Sequence, residues 1–363
     1  MLNNLNIIDL FCGAGGLSLG FQEVGYNIVT SLDIDNYAIE TYSFNIKTQK
    51  KPINRSLTKI DPKFLLDYIE MDVGELDLII GGPPCKSFSN ANRQNRSKNN
   101  HFNLLPFHYL NFIKGLKPKA FLLENVPGLK SFDKGYLFDD FINKIKKLKY
   151  IINHFTINCE EYGIPQKRER IFIIGTRKRK KFRFNSEKQK RVSVKEAIND
   201  LPILKNGNKN DPLPYKKNTR LSKYQMEMRE LHNEEVVYNN LVTRNKDLII
   251  ERYRYITQGG NWQDIPENLM HNYSNLKNCH SSIYHRLNYN KPSKTICNFR
   301  KNMIIHPIQH RGLSVREAAR IQSFPDNFIF KGGIQSQQQQ VANAVPPKLS
   351  KLIANELQSY FNN

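Results

Sequence analysis

Short β-rich runs alternate with helical patterns from Asn6 to Gly175, and this alternation restricts the possible folds more than any other feature of the chain. Parallel strands need a long crossover, usually a helix, to return to the same edge of a sheet. The alternation therefore predicts an α/β fold with a mostly parallel sheet and helices on both faces. The predicted strands are residues 6–10, 27–32, 76–80, 120–123 and 170–174, and the predicted helices start at about residue 17 or span 105–116 and 137–148.

The alternation stops after Gly175. Residues 177–191 contain nine Lys or Arg and a single acidic residue, Glu187, and residues 200–300 are rich in Asn, Tyr and Lys. Helical periodicity returns in residues 314–323 and 348–361, so we expect the end of the chain to rejoin the first domain. The predicted domains are residues 1–177 together with 325–363, and residues 178–324.

The composition excludes several classes of protein. The 363 residues are 39% hydrophobic, which excludes disorder of the whole chain. The apolar runs are shorter than the roughly 18 residues of a membrane span, and the N-terminus lacks the pattern of a signal peptide. The five cysteines form no CxxC pair, so neither a disulfide framework nor a metal site is predicted. We expect a cytoplasmic protein without a membrane partner.

The charge is strongly unbalanced: 55 Lys and Arg against 33 Asp and Glu give a net charge of +22. Such an excess suits a polyanionic partner, because contacts from Lys and Arg to phosphates drive sequence-independent binding of nucleic acid. A genome rich in A and T, which encodes Lys, Asn and Ile frequently, would explain the same excess. Charge alone leaves both interpretations open.

A glycine-rich loop, Gly13 to Gly16, follows the first predicted strand and precedes a helix. Such a loop allows close approach of a ligand to the backbone, and the helix N-terminus favours an anionic group. Asp33 ends the next strand, twenty residues beyond Gly13, where an acid could accept ribose hydroxyls. Ser18 occupies the third glycine position, so the order is not the dinucleotide pattern. The glycine loop alone fits a plain tight turn equally well, but with Asp33 at this distance we favour a nucleoside-bearing cofactor.

Three more polar groups are placed near strand ends. Cys85 follows the rigid turn 81–84 and precedes a polar, basic loop, which suits a reactive thiolate better than a buried thiol. Glu124 ends another strand and is either a helix cap or a partly buried acid. Arg168 and Arg170 alternate into the last strand and face one side, either as an exposed edge or directed into a cleft with Glu124 and Cys85.

Six segments, in this order along the chain, resemble the motifs of the C5-cytosine DNA methyltransferase family. They are residues 9–16 (DLFCGAGG), 82–85 (GPPC), 124–126 (ENV), 166–170 (QKRER), 316–325 (REAARIQSFP) and 343–346 (NAVP). Residues 178–284 carry none of these motifs, and this is where the family places its variable target-recognition domain.

The resemblance implies a chemistry that the residue types support. Cytosine C5 becomes nucleophilic only after C6 is attacked, which is the role implied for the Cys85 thiolate. Glu124 would protonate or hydrogen-bond N3, and Arg168 would stabilise O2. A base inside a duplex is inaccessible, so the cytosine would be flipped out, with the loop from Lys86 to Phe102 closing behind it.

The resemblance also implies S-adenosylmethionine as the methyl donor, with no metal. The residues that it assigns to this cofactor are Phe11, Gly13, Ala14, Gly16, Leu17, Asp33, Ile34, Pro83, Leu105, Asn343 and Val345. Asp33 would bind the ribose hydroxyls and Ile34 would lie against adenine. The chain departs from the family pattern at Lys86, usually Gln; at Ser56, usually an Asp that contacts the adenine amino group; and at Ala342, usually Gly.

The resemblance implies a Rossmann-like, S-adenosylmethionine-dependent methyltransferase sheet and a smaller, irregular target-recognition domain. Residues 1–177 with 325–363 would form the catalytic and cofactor-binding domain, and residues 178–324 the target-recognition domain and hinge. The expected partner is double-stranded DNA, and the expected setting is a bacterial restriction-modification system with a cognate endonuclease and a monomeric methyltransferase. The alternatives are a tRNA-modifying branch, whose Cys-Phe-Thr signature is absent here, a catalytically silent DNA-binding module and a nicotinamide oxidoreductase.

Overall fold

The structure is a computed structural model that describes residues 5–84, 101–177, 181–229, 235–273, 283–297, 299 and 304–362. The chain forms two compact units. The first comprises Met1–Asn158, Glu169–Glu187 and Pro347–Asn363, and the second comprises Cys159–Arg168 and Lys188–Pro346. Cys85, and residues 86–100 of the loop predicted to close over the base, lie outside the described residues.

The first unit contains a seven-stranded sheet within the described ranges. Its strands are β1 (Asn6–Leu10), β2 (Asn27–Asp33), β3 (Ile53–Asn54), β4 (Leu78–Gly81), β5 (Ala120–Asn125), β6 (Ile151–Asn158) and β7 (Glu169–Thr176). The strand order is β3-β2-β1-β4-β5-β7-β6, in which β7 runs antiparallel to both of its neighbours and the other pairs are parallel. The prediction of an α/β fold with a mostly parallel sheet is confirmed.

The second unit contains four short strands in its described part: β8 (Leu213–Pro214), β9 (Val236–Val237), β10 (His285–Arg286) and β11 (Ile304–Ile305). The α-helices of the two units are α1 (Gly16–Val24), α2 (Asn36–Asn45), α3 (Pro62–Ile69), α4 (Leu105–Leu116), α5 (Tyr136–Lys147), α6 (Val194–Ile198), α7 (Lys223–Arg229), α8 (Asp247–Tyr255), α9 (Val315–Ile321), α10 (Ile334–Asn343) and α11 (Pro347–Asn362). Short 3-10 helices cover Leu57–Lys59, His101–Leu104, Pro127–Leu129, Phe132–Gly135, Cys159–Tyr162, Trp262–Asp264 and Glu267–Leu269. None of the helices described is long and apolar enough to cross a membrane.

Elements outside the sequence prediction have weak patterns. In α2 the apolar residues do not form one stripe, and the helix is set instead by its N-cap, because the Asp35 side chain accepts hydrogen bonds from the backbone N–H groups of Tyr37 and Ala38. β6 lies at the sheet edge and mixes exposed and partly buried positions, so its sequence lacks a buried apolar run. α2 is therefore set by a local cap, whereas β6 is set by its pairing with β7.

The C-terminal helix α11 packs closely against α1 at Gly20, where no side chain separates the two backbones. A Cβ atom at Gly20 would lie 2.3 Å from the backbone nitrogen of Lys351, so only glycine allows this approach. The Ser350 hydroxyl donates a hydrogen bond to the carbonyl of Leu17, and the Tyr26 hydroxyl donates one to the carbonyl of Ala354 at 3.1 Å. Together these contacts hold α11 on the face of the sheet that α1 covers.

The second unit contains a buried ionic cluster, in which Arg320 of α9 pairs with Asp200 and Asp326. Arg320 is fully buried and contacts Asp326 at 2.5 Å and Asp200 at 3.1 Å. Burial alone would raise the pKa of Asp326, but Arg320 holds it below its ordinary value. Arg316 donates to the carbonyls of Pro325 and Phe328. The buried charges are therefore paired and hydrogen-bonded, as a stable interior requires.

An Arg320→Met variant should unfold at lower denaturant than the wild type, with a loss of about 3–5 kcal/mol, because two buried carboxylates lose the guanidinium that they share. Urea unfolding followed by circular dichroism measures this. Arg254→Met is the control, since Arg254 is 62% exposed in its ion pair with Glu251, and exposed pairs contribute little. Equal midpoints for the two variants would contradict the assignment of Arg320 as the centre of the cluster.

Candidate active site and cofactor loop

The glycine-rich loop between β1 and α1 has an unusual backbone. Phe11, Gly13 and Gly15 have positive φ angles of 65°, 52° and 98°. At Gly15 a Cβ atom would lie 2.9 Å from Ile46 and 3.0 Å from the ring of Tyr42, so the loop requires glycine there. At Gly13, apart from its chain neighbours, no atom of the described residues lies within 4 Å of the corresponding position. The loop therefore packs against Ile46 and Tyr42 at Gly15. It leaves space beside Gly13, where a ligand can approach the backbone.

Asp33, at the end of β2, lies against this loop. One carboxylate oxygen accepts a hydrogen bond from the backbone N–H of Gly13 at 2.8 Å, and the other accepts one from that of Asp35 at 2.9 Å. Burial raises the pKa of Asp33, while these backbone hydrogen bonds lower it. Ile34 follows with 72% of its surface exposed, which leaves an apolar surface beside the carboxylate.

The remaining residues that the resemblance assigns to the cofactor are distributed over several elements. Ala14, Gly16 and Leu17 are buried at the start of α1, Pro83 is buried after β4, and Leu105 is the partly buried first residue of α4. Asn343 ends α10 in the second unit, and Val345 is buried two residues later. Phe11 is partly buried at the start of the loop.

A buried hydrogen-bond chain, which no sequence pattern indicated, lies next to the glycine loop. The Ser18 hydroxyl donates to a carboxyl oxygen of Asp9 at 2.6 Å, and the Tyr42 hydroxyl donates to Ser18 at 2.7 Å. The other oxygen of Asp9 has no hydrogen-bond partner among the described residues. Burial raises the pKa of Asp9 to about 8. In the sequence, the signal for this chain of hydrogen bonds was one acidic residue, Asp9, in an otherwise apolar strand.

We expect an Asp9→Asn variant to gain stability relative to the wild type as the pH rises from 5 to 9. Unfolded Asp ionises near pH 4, whereas folded Asp9 keeps its proton up to about pH 8, so wild-type stability falls across this interval. Asn still accepts the hydrogen bond from Ser18 and carries no titratable proton. The difference in unfolding free energy should grow by up to about 1.4 kcal/mol per pH unit. Urea unfolding at several pH values measures it, and a pH-independent difference would refute the assignment.

Glu124, at the carboxyl end of β5, is 9% exposed and pairs with Arg170 of β7. The Arg170 Nε lies 2.8 Å from one carboxylate oxygen of Glu124. Glu124 lies opposite Phe172 in the register, so Arg170 is a diagonal neighbour on the same face of the sheet. A Cβ atom at Gly82 would lie 3.1 Å from the second oxygen of Glu124. The carboxylate is thus held between a guanidinium and the backbone that leads to Cys85.

Asn125 links this carboxylate to the same backbone. Its side-chain amide donates a hydrogen bond to the carbonyl of Pro83 at 3.2 Å, and its oxygen accepts one from the backbone N–H of Val126 at 2.9 Å. The Asn125 side chain therefore ties the end of β5 to the turn that follows β4. The predicted nucleophile comes two residues after Pro83, outside the described residues.

Arg168 belongs to the second unit and is 2% exposed. Its guanidinium donates to the backbone carbonyls of Ile296 at 3.3 Å, Ala342 at 3.4 Å and Ala344 at 2.9 Å. Arg170 is the arginine that contacts Glu124. The sequence pattern placed it on the same face as Arg168, but the predicted role in stabilising O2 was given to Arg168. A two-residue period identifies the face of a strand but cannot choose between two arginines on it.

The loop residues of the first unit fit a nucleoside-bearing, positively charged cofactor such as S-adenosylmethionine. The space in front of Gly13 admits a ligand, the Asp33 carboxylate can accept ribose hydroxyls, and the exposed Ile34 side chain suits a flat base. The buried Asp9 oxygen without a partner among the described residues adds an acceptor beneath the loop. No cluster of three or more potential metal ligands occurs in the ranges that the structure describes.

The chain is similar to known DNA methyltransferases along nearly its whole length. The family model of C-5 cytosine-specific DNA methylase matches residues 5–359. The chain is 32% identical to the Type II methyltransferase M.DdeI of Desulfomicrobium norvegicum over 99% of this chain and 90% of that protein. It is 30% identical to the Type II methyltransferase M1.HphI of Haemophilus parahaemolyticus, covering 97% and 86% of the two chains.

A similar solved structure is that of a prophage-encoded protein of E. coli assigned as a DNA modification methyltransferase. It superposes with a TM-score of 0.79 at 26% sequence identity, over 99% of this chain and 100% of that one. The likeness extends over both compact units, because almost the whole of each chain is covered.

Proposed function

The chain belongs to the C-5 cytosine-specific DNA methylase family and is a DNA cytosine-5 methyltransferase, and from this premise we propose that it methylates a flipped-out cytosine in a specific duplex sequence through a covalent adduct with Cys85. The observation that carries this proposal is the Glu124–Arg170 pair beside the Gly82–Pro83 backbone. A carboxyl group oriented by a cation, next to the segment that bears the thiol, is placed to exchange a proton or hydrogen bond with a pyrimidine ring.

In the proposed reaction the Cys85 thiolate forms a bond to C6 of cytosine. The carboxyl group of Glu124 donates a proton or hydrogen bond to N3, which takes up the electron density displaced from the ring. The activated C5 would accept the methyl group as the bond between that carbon and the donor's sulfonium sulfur breaks, which would leave a neutral thioether. Loss of the C5 proton to solvent would then break the Cys85–C6 bond and return the thiolate. The proton on N3 passes back to Glu124, so every group ends in its starting state.

We assign stabilisation of O2 to Arg170, in place of the sequence-based assignment to Arg168. Three backbone carbonyls occupy the Arg168 guanidinium, whereas Arg170 lies against Glu124. A cation at this position also orients the carboxyl group toward N3, because Oε1 is engaged by Arg170 while Oε2 lies beside Gly82. Positive charge placed before the reaction stabilises the charge that develops on the ring.

Bound S-adenosylmethionine supplies an electrophilic methyl group. We propose that eleven residues hold it: Phe11, Gly13, Ala14, Gly16, Leu17, Asp33, Ile34, Pro83, Leu105, Asn343 and Val345. The Asp33 carboxylate would accept the ribose hydroxyls, and the open side of Gly13 would lie against the ligand. The fit of the loop and the family membership support this assignment.

We further propose that the enzyme protects DNA in a restriction-modification system of the cytoplasm, because its curated relatives are named Type II methyltransferases. A cognate endonuclease would share the recognition sequence without a physical complex, and the methyltransferase would act as a monomer. Residues 178–324 would read the sequence through base-edge contacts, and residues 1–177 with 325–363 would carry out catalysis.

Transfer of tritiated methyl groups from S-adenosylmethionine to duplex DNA tests the proposal. The expected product, after digestion to nucleosides, is labelled 5-methylcytosine, and bisulfite sequencing of methylated DNA would then identify the recognition sequence. Label on transfer RNA instead of DNA would move the chain to the RNA-modifying branch. Binding of DNA without transfer to either substrate would indicate a catalytically silent binding module.

A further inference from the structure

A buried polar cluster in the second unit surrounds the end of α10 and contains Gln166, Arg168 and Gln322. All three side chains are at most 2% exposed. Gln166 donates to the side-chain oxygen of Gln322 at 2.7 Å and accepts from the backbone N–H of Ile296 at 2.9 Å. Arg168 donates to the carbonyl of the same Ile296 at 3.3 Å. The cluster therefore connects three separate segments of the chain.

The cluster supplies hydrogen-bond donors to a helix end. The last carbonyls of a helix lack partners within it and need donors from elsewhere. The carbonyl of Val341 accepts from Gln322 at 2.8 Å, and that of Ala342 accepts from Arg168 at 3.4 Å. The carbonyl of Ala344, just past the helix, accepts from Arg168 at 2.9 Å and from Gln322 at 3.3 Å. A guanidinium at this end also complements the negative pole of the helix.

We propose that Arg168 is a positioning residue that, together with Gln322, holds the segment from Ala342 to Val345 in the conformation needed to bind the cofactor. This inference rests on the proposed function, in which Asn343 and Val345 belong to the cofactor site. Arg168 donates to both carbonyls that flank Asn343, those of Ala342 and Ala344. Gln322 donates to the carbonyls of Ala344 and Val341. Loss of Arg168 would remove the donor to the Ala342 carbonyl, and loss of Gln322 would remove the donor to the Val341 carbonyl. Either loss would also leave Ala344 with one donor in place of two and free this segment to change conformation.

The role differs from that of a group acting on the substrate. A residue that stabilises O2 of cytosine would affect turnover and leave binding of S-adenosylmethionine in the absence of DNA unchanged. A residue that positions Asn343 and Val345 would affect cofactor binding before any DNA is present. Gln322 shares the Ala344 carbonyl with Arg168, so its loss should produce the same defect.

The test compares Arg168→Met, Gln322→Leu and Arg252→Met in the full chain. Arg252 is the matched control, because it is also a fully buried arginine of the second unit, but it donates to the carbonyl of Leu269 and to the Tyr284 hydroxyl. Isothermal titration with S-adenosylmethionine, without DNA, measures the dissociation constant at a temperature where circular dichroism shows each variant to be folded.

We expect the dissociation constant to rise about 10-fold or more for Arg168→Met and Gln322→Leu, with partial recovery in Arg168→Lys, and to stay within about 2-fold of wild type for Arg252→Met. Wild-type cofactor binding in Arg168→Met and Gln322→Leu would overturn the inference, and a loss confined to turnover would return Arg168 to the catalytic set. Equal weakening in Arg252→Met would reduce the effect to general destabilisation and also overturn it. Failure of the wild type itself to bind S-adenosylmethionine would instead refute the proposed function.

Discussion

A Cys85→Ser variant should transfer no detectable methyl group to duplex DNA, while still binding it. The reaction requires a nucleophile that is largely ionised near neutral pH and that leaves readily from C6. A serine hydroxyl is hardly ionised under these conditions. Single-turnover transfer of tritium from S-adenosylmethionine measures the chemical step directly, and electrophoretic mobility measures DNA binding.

The control is Cys297→Ser, which removes a cysteine with an exposed side chain and should keep wild-type activity. The adduct itself can be captured on duplex DNA with 5-fluorocytosine at the target position. Fluorine replaces the C5 proton whose loss releases the enzyme, so the wild type and Cys297→Ser should form a complex that survives denaturation. Methyl transfer by Cys85→Ser, or a stable complex with it, would exclude Cys85 as the nucleophile.

A Glu124→Gln variant should lower the single-turnover rate by about 100- to 10 000-fold, the range that general acid catalysis contributes. Gln has nearly the same shape as Glu but cannot deliver a proton to N3, and it removes the ionic partner of Arg170. Affinity for S-adenosylmethionine should stay close to wild type, because Glu124 is not among the residues assigned to the cofactor.

Glu23→Gln provides the matched control. Glu23 also pairs with a cation within the first unit, Lys351 at 3.1 Å, but this pair lies on α1 and α11. We expect its single-turnover rate to be unchanged. If the two variants lost activity equally, the Glu124–Arg170 pair would be a structural ion pair and not part of the chemistry.

The positions of the candidate groups at strand ends followed from the sequence alone. Asp33 and Glu124 were expected at the ends of strands, and the structure places them at the ends of β2 and β5. Parallel strands bring their carboxyl ends to one edge of a sheet, so an acid that follows a buried strand has a limited set of positions. The contact between Gly13 and Asp33 follows from the same topology, because β1 and β2 are adjacent.

Local sequence patterns could not predict the contacts that support the glycine loop. The chain from Tyr42 through Ser18 to Asp9 joins α2, α1 and β1, and the ring of Tyr42 also makes Gly15 obligatory. Ser18 could be recognised only as a departure from the dinucleotide pattern. A hydrogen bond between residues 24 positions apart depends on where two helices pack, and no periodicity specifies that.

By itself the sequence determined the family, the α/β class and the candidate chemistry, because these depend on residue types, their order and the alternation of strands and helices. Only the tertiary structure distinguished Arg170 from Arg168. The two arginines share the period of a strand, yet Arg170 contacts a carboxylate while Arg168 donates to carbonyls at the end of α10, more than 170 residues away. The role of an arginine is decided by the acceptors that surround its guanidinium, and folding alone brings those acceptors to it.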